Sequence, residues 1–222
     1  MAGRKGTAVL LMVASAGLLL AAVPAAITEA DALLASLRPP ALRSLAIAET
    51  VYVPAASYLS KDEYFRSCLN IPGSLVGLLR PPAERTRLLR TCRDHARAIV
   101  VEMPTYALPH LVDAETSASL GEPFADALAT ARRLAPHVHW QVDRRIALAR
   151  AQYVRLDEPG RVAFEDDLRD MFGSAEGRRV LAMHFLRWPD QRDRLTGIAE
   201  TVSSDAQRDF LAKVKRQANP VP

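Results

Sequence analysis

Hydrophobic and polar residues follow one another along this chain at the three-and-four spacing of helices, after an opening stretch that carries no charge at all. Residues 7–28 are apolar or small, interrupted only by Pro24, and Arg4 and Lys5 stand before them. At 1.5 Å per helical residue, about 20 residues span a hydrocarbon core of roughly 30 Å, so this run has the length of a membrane helix. Its flanks orient it: Glu29 and Asp31 follow directly, and the next cation is Arg38. That asymmetry keeps the amino terminus in the cytoplasm and sends the remainder outward, into a periplasm. Ala21, Ala22, Ala25 and Ala26 also suit a signal peptidase, which leaves secretion after cleavage as the alternative to a retained anchor.

Past the run, the pattern predicts helix after helix. Ser60 with Glu63 reads as a capping box, Leu59 and Tyr64 have the spacing of a hydrophobic staple, and Phe65, Cys68 and Leu69 supply an apolar face. Over 83–103, Leu89, Cys92, Ala96, Ile99, Val100 and Met103 recur on one face. Segments 105–119 and 123–135, joined by Leu120, Gly121 and Glu122, form a helical hairpin. A helix over 139–155 turns Trp140, Ile146, Ala147, Val154 and Tyr153 toward a core, and the chain then turns at Asp157, Glu158, Pro159 and Gly160. Helices follow over 161–172 and from Ser174 to the residues before Pro189. Asp190 caps the next, and Ser204 with Gln207 opens the last, with Phe210, Leu211 and Val214 on its packing face. Only residues 51–53 read ambiguously as strand.

The predicted fold class is therefore all-α: an N-terminal membrane helix followed by antiparallel helical hairpins, either tetratricopeptide-like or an irregular bundle. The expected divisions are 1–28 (anchor or signal peptide), 29–58 (membrane-proximal segment), 59–218 (helical periplasmic domain) and 219–222 (tail). Cys68 and Cys92 are the only cysteines. In an oxidising compartment they are candidates for a disulfide, the alternative being two reduced thiols packed as small apolar groups. Without Arg4 and Lys5 the chain holds 27 cations against 25 anions, which gives no support to nucleic-acid binding. Of the 29 cations, 25 are arginine, and alanine is abundant, a composition that points to a bacterium with GC-rich codons.

Pro104 and Pro136 stand 32 residues apart, with Tyr106, Leu111, Ala114, Leu120, Gly121, Ala127, Ala131 and Leu134 between them. This unit resembles a shortened tetratricopeptide repeat, whose period is 34 residues. The order Trp140, Arg144, Arg145, Ala147, Leu148, Asp167, Leu168, Gly177, Arg178, Leu181, Ala182, Gln207, Phe210 and Leu211 resembles small membrane-anchored helical proteins encoded beside O-antigen polymerase or ligase-like proteins in polysaccharide clusters. The resemblance implies a non-enzymatic accessory of surface-polysaccharide assembly in the bacterial inner membrane, partnered by another envelope protein.

Candidate chemistry is sparse. His137 and His139 form an H-x-H pair with Asp143 four residues on, yet a further ligand is missing, so no metal or cofactor is expected. Gly173, Ser174 and Gly177 lack the spacing of a nucleophile elbow, because Phe172 occupies the required first glycine position. His95, His110 and His184 stand apart from any nucleophile motif. Glu165, Asp166, Asp167 and Asp170 read first as a solvated face. An alternative function, a glycan hydrolase or lyase, would draw on Glu165 or Asp167. Arg178 and Arg179 oppose the dipole at a helix start and are candidate contacts for an anionic partner. The leading expectation is a non-enzymatic adaptor or scaffold; a small-ligand sensor would instead require an enclosed apolar pocket.

Overall fold

The computed structural model describes residues 22–24, 26–30, 34, 57–71 and 75–219. Among them every regular element is helical and no strand occurs. The elements are α1 (Tyr58–Asn70), α2 (Leu75–Leu79), α3 (Pro82–Glu102), α4 (Ala107–Ser119), α5 (Ala125–Leu134), α6 (His139–Ala151), α7 (Glu158–Phe172), α8 (Ala175–Arg187), α9 (Arg192–Thr201) and α10 (Ser204–Ala218). Short 3-10 turns at Tyr153–Arg155 and Pro189–Gln191 follow α6 and α8. Most of the 7–28 run, and residues 51–53, lie outside the described residues. Among those described, no helix is long and apolar enough to cross a membrane. Contacts divide the chain into two compact units, 1–92 and 93–222, and the break falls inside α3.

In the first unit, Tyr64, Phe65, Cys68, Leu69, Ile71, Leu88, Leu89 and Cys92 are buried. Cys68 on α1 and Cys92 on α3 form a disulfide with their Cα atoms 5.8 Å apart, within the range that a bridge requires. Closing about 25 residues of chain removes entropy from the unfolded state, worth roughly 3 kcal/mol in the chain-entropy account. The first helix starts earlier than the capping box suggested. Ser57 is the cap, its hydroxyl accepting from the Ser60 amide at 3.1 Å. This shift places Ser60 inside the helix and leaves Leu59 69% exposed, so the staple with Tyr64 does not form.

The second unit is built around α7, which packs against α5, α6, α8 and α9. Its inward residues, Phe164, Leu168, Met171 and Phe172, keep helical spacing. The expected hairpin is present as α4 and α5. Its turn is a Schellman motif: Gly121 has φ +80°, its amide reaches Ala118 O at 3.2 Å, and the Glu122 amide reaches Ser117 O at 2.8 Å. Arg155 reinforces the same turn, donating to Ala118 O at 3.1 Å and to Glu122 O at 2.8 Å. Phe172 at the end of α7 and Phe185 on α8 both meet Phe210 of α10 edge-on.

Several boundaries differ from the pattern-based expectation for local reasons. The residues read as a turn before position 161 open α7: Asp157 caps the Gly160 amide at 2.9 Å, and Pro159 lies in the first turn, where its missing N–H costs nothing. Ser174 caps α8 as expected, through the Gly177 amide. Asp190 does not cap α9; it sits in the preceding 3-10 turn and pairs with Arg150 at 2.7 Å. Ser203, one residue before the expected Ser204, caps α10, while the Gln207 side chain donates to Val202 O. Ala147 and Val154 are exposed because the inward stripe of α6 runs through Val142, Arg145, Ile146 and Ala149, and the helix ends at Ala151. Leu211 likewise faces solvent at 62% exposure, leaving Phe210 as the buried anchor of α10.

Two glycines separate conformational from steric constraint. Gly121 has open space around a hypothetical Cβ but a left-handed backbone, whereas a Cβ on Gly177 would stand 2.0 Å from Met171 O. Replacing Gly121 by Ala is expected to cost about 1–2 kcal/mol. Gly177→Ala, which forces α8 away from the end of α7, should cost about 3 kcal/mol, the upper part of the overpacking range. Urea unfolding of the two variants checks the order.

Candidate functional site

The most deeply buried charges lie where α5, α6 and α7 meet. Arg145 and Asp167 have side chains only 1% and 4% exposed, and they face each other through two parallel hydrogen bonds of 2.9 and 2.8 Å. Arg145 also donates to Ala135 O at 3.0 Å, at the end of α5. Arg132 on α5 brings its Nε to 3.2 Å from Asp167 Oδ1, and its other end approaches Asp166 and Asp170 at 3.6 Å. Burying charge requires this much compensation, and a fork of guanidinium on carboxylate supplies it with fixed geometry. The adjoining void, lined by Leu128, Ala149, Phe164 and these charged groups, holds about 20 Å³. That is no more than the room for one water molecule.

Asp167 is thus not part of a solvated face. Glu165 lies two residues away on the same helix, and that spacing turns the two side chains to nearly opposite sides. It pairs instead with Arg169 at 3.2 Å and Arg194 at 3.8 Å, beside a hollow of about 300 Å³ that includes Gly197, Ile198 and Thr201. The two carboxylates therefore do not flank a common space, as a glycosidic pair must.

His139 and Asp143 share a face of α6, but Asp143 receives His184 Nε2 from α8 at 2.7 Å. The His184 ring stacks on Trp188 at 3.6 Å, and the Arg150 guanidinium lies 4.8 Å from the Trp188 centroid. A paired Asp and His can orient a proton acceptor, yet among the described residues no serine hydroxyl bonds to His184 and both thiols are in the disulfide. No group of three metal-ligating side chains converges among the described residues.

The two arginines at the start of α8 have internal partners. Arg178 donates to Asp209 at 2.5 Å and to Phe172 O at 2.7 Å, joining α10 and the end of α7. Hydrogen bonds from Lys213 and then from Arg178 hold the Asp209 carboxyl below its ordinary pKa. Arg179 pairs with Glu176 one turn earlier and remains half-exposed. Arg178 consequently has a structural task, and Arg179 is the more accessible of the two.

A space of about 450 Å³ in the second unit lies beside Phe124 and opens to solvent. Arg97, Asp113, Asp126, Arg155 and Asp157 line it. Most of these groups are engaged: Arg97 with Asp113 and Ser117, Arg155 with the hairpin turn, Asp157 with the start of α7. The enclosed apolar pocket expected of a ligand sensor is not what these residues make.

Sequence spacing did not reveal Arg145, Glu115 or the His184–Asp143 contact as partners. Glu115 accepts both arms of Arg144, at 2.8 and 2.7 Å, across 29 residues. The available signal was an arginine inside the apolar stripe Val142, Ile146, Ala149, matched by an aspartate inside the stripe Phe164, Leu168, Met171. No protein-family model, curated protein or solved structure matches the chain.

Breaking the buried pair by Asp167→Asn or Arg145→Met should cost about 3–5 kcal/mol, whereas replacing both partners by apolar residues should recover much of that loss. A double-mutant cycle in urea measures the difference. A second expectation concerns acid. Hydrogen bonds from Arg150 and Gln191 lower the Asp190 carboxyl to about 2. Since the unfolded value is near 4, the stabilisation it supplies is complete above pH of about 4 and disappears as pH falls toward 2. Asp190→Asn should therefore flatten the stability profile in that window, with a small amplitude because the pair is exposed.

Proposed function

We propose that this chain is a membrane-tethered, non-enzymatic helical adaptor facing the periplasm, which holds another envelope protein during surface-polysaccharide assembly. The observation that carries the compartment is the Cys68–Cys92 bridge, since disulfides persist in oxidising surroundings. It agrees with the charge asymmetry around residues 7–28, which sends the body outward. An adaptor is supported by the all-helical body and by polar side chains that bind one another across helices, as Arg145 binds Asp167 and Arg144 binds Glu115. The α4–α5 hairpin, with Ala114, Ala118 and Ala131 buried, supports the tetratricopeptide-like reading of that unit. The polysaccharide context rests on the resemblance alone. Arg179 is the preferred contact for an anionic partner surface because Arg178 is occupied within the fold.

Crosslinking in native membranes, followed by mass spectrometry, tests the proposal. A polysaccharide polymerase or ligase crosslinked to this chain is the expected outcome, with weaker capture by Arg179→Glu. Exclusive capture of soluble enzymes would contradict it.

A further inference from the structure

The outward stripe of α10 carries cations that the fold leaves largely uncompensated. Phe210 anchors the helix from inside, and that side lies against α8. Arg208, Leu211, Ala212 and Lys215 recur at steps of three and four on the other side, and all four are exposed. Arg208 pairs only with Asp205, the two side chains being 72% and 87% exposed, and a pair so open to water contributes little. Lys215 and Arg216 have no acidic partner among the described residues. After Asp209 the chain contains Lys213, Lys215 and Arg216 and no acid. Residues 93–222 as a whole hold equal numbers of cations and anions, so the positive charge along this end of α10 is a local excess.

We propose that this stripe is the docking surface for an acidic helix of a partner protein, one that presents an apolar residue between two acids. The inference rests on the adaptor reading and deepens it, extending the anionic contact from Arg179 along α10. Gln217 Nε2 donates to Arg179 O at 3.0 Å, so the start of α8 borders the last turn of α10. Arg208 and Lys215 are seven residues apart, about 10 Å along the axis, and Leu211 lies between them. A partner helix with acids at the same interval therefore meets cation, leucine and cation in turn. Phe210 and the Arg178–Asp209 pair hold α10 in place, so the stripe is ordered before a partner arrives. Charge selects the occupant, because acids opposite these cations attract and a basic segment is repelled. A lipid surface fits less well. An interfacial helix inserts a broad apolar face, and the apolar side of α10 is turned toward α8, leaving Leu211 alone outside.

The test uses the full chain in nanodiscs of zwitterionic lipid and a fluorescent, stapled helical peptide with Glu at two positions one Arg208–Lys215 interval apart and Leu midway. Fluorescence anisotropy at low salt is expected to show binding that weakens as salt rises. Arg208→Glu and Lys215→Glu should each weaken it about fivefold, and a peptide with Lys in place of Glu should recover binding to the double variant. Leu211→Ser should weaken it too, whereas Arg187→Glu, at an exposed position on α8 outside the stripe, should not. No binding, equal loss with Arg187→Glu, or binding that survives both reversals would overturn the docking stripe. Binding to phosphatidylglycerol vesicles that the reversals abolish, with none to the peptide, would assign the stripe to lipid and overturn it as well. In native-membrane crosslinking, a polymerase or ligase captured only at other residues would overturn the stripe and leave the adaptor standing. Peptide binding at the stripe, with crosslinks to soluble enzymes alone, would overturn the adaptor and leave the stripe.

Discussion

One covalent bond gives the first unit its definition and links the fold to its surroundings. Cys68 and Cys92 staple α1 to α3, next to the fully buried rings of Tyr64 and Phe65. Reduction would return the loop entropy to the unfolded chain. The same bond needs an oxidising compartment, so the stability of this unit and the outward placement proposed from the N-terminal charges depend on a common condition.

The second unit uses a different device. There the helices surround α7, and the centre contains a guanidinium–carboxylate fork instead of uninterrupted hydrocarbon. Such a pair adds little net stability relative to apolar packing, because desolvation opposes its attraction. Its directional bonds nevertheless reward one arrangement of α5, α6 and α7, since Arg145 must meet both Asp167 and Ala135 O. Arg144 with Glu115, Arg178 with Asp209 and Arg155 at the Gly121 turn repeat the pattern at less buried positions. The arginine-rich composition is expressed as cross-helix connections.

Helix existence and the α4–α5 hairpin were legible because apolar periodicity and the Leu120, Gly121, Glu122 connection are local signals. The cysteine pairing was legible as a candidate because no competing pair existed. Caps were harder: Ser57, three residues before the expected Ser60, and Ser203, one residue before Ser204, take the caps, and one serine caps as well as another. The inward face of α6 was misplaced because Arg145 occupies a core position, so apolar counting moved the stripe toward Ala147 and Val154. Pairings such as His184 with Asp143, separated by 41 residues, arise from helix packing and have no local spacing signature.

The central claim is that this protein folds outside the cytoplasm with its two cysteines bridged. Its most direct test is the thiol state in intact cells: acid quenching, alkylation with a mass-tagged maleimide under denaturing conditions, and comparison with a sample reduced beforehand. The account predicts no tag before reduction and two tags after it. Two tags on protein that was never reduced would contradict it.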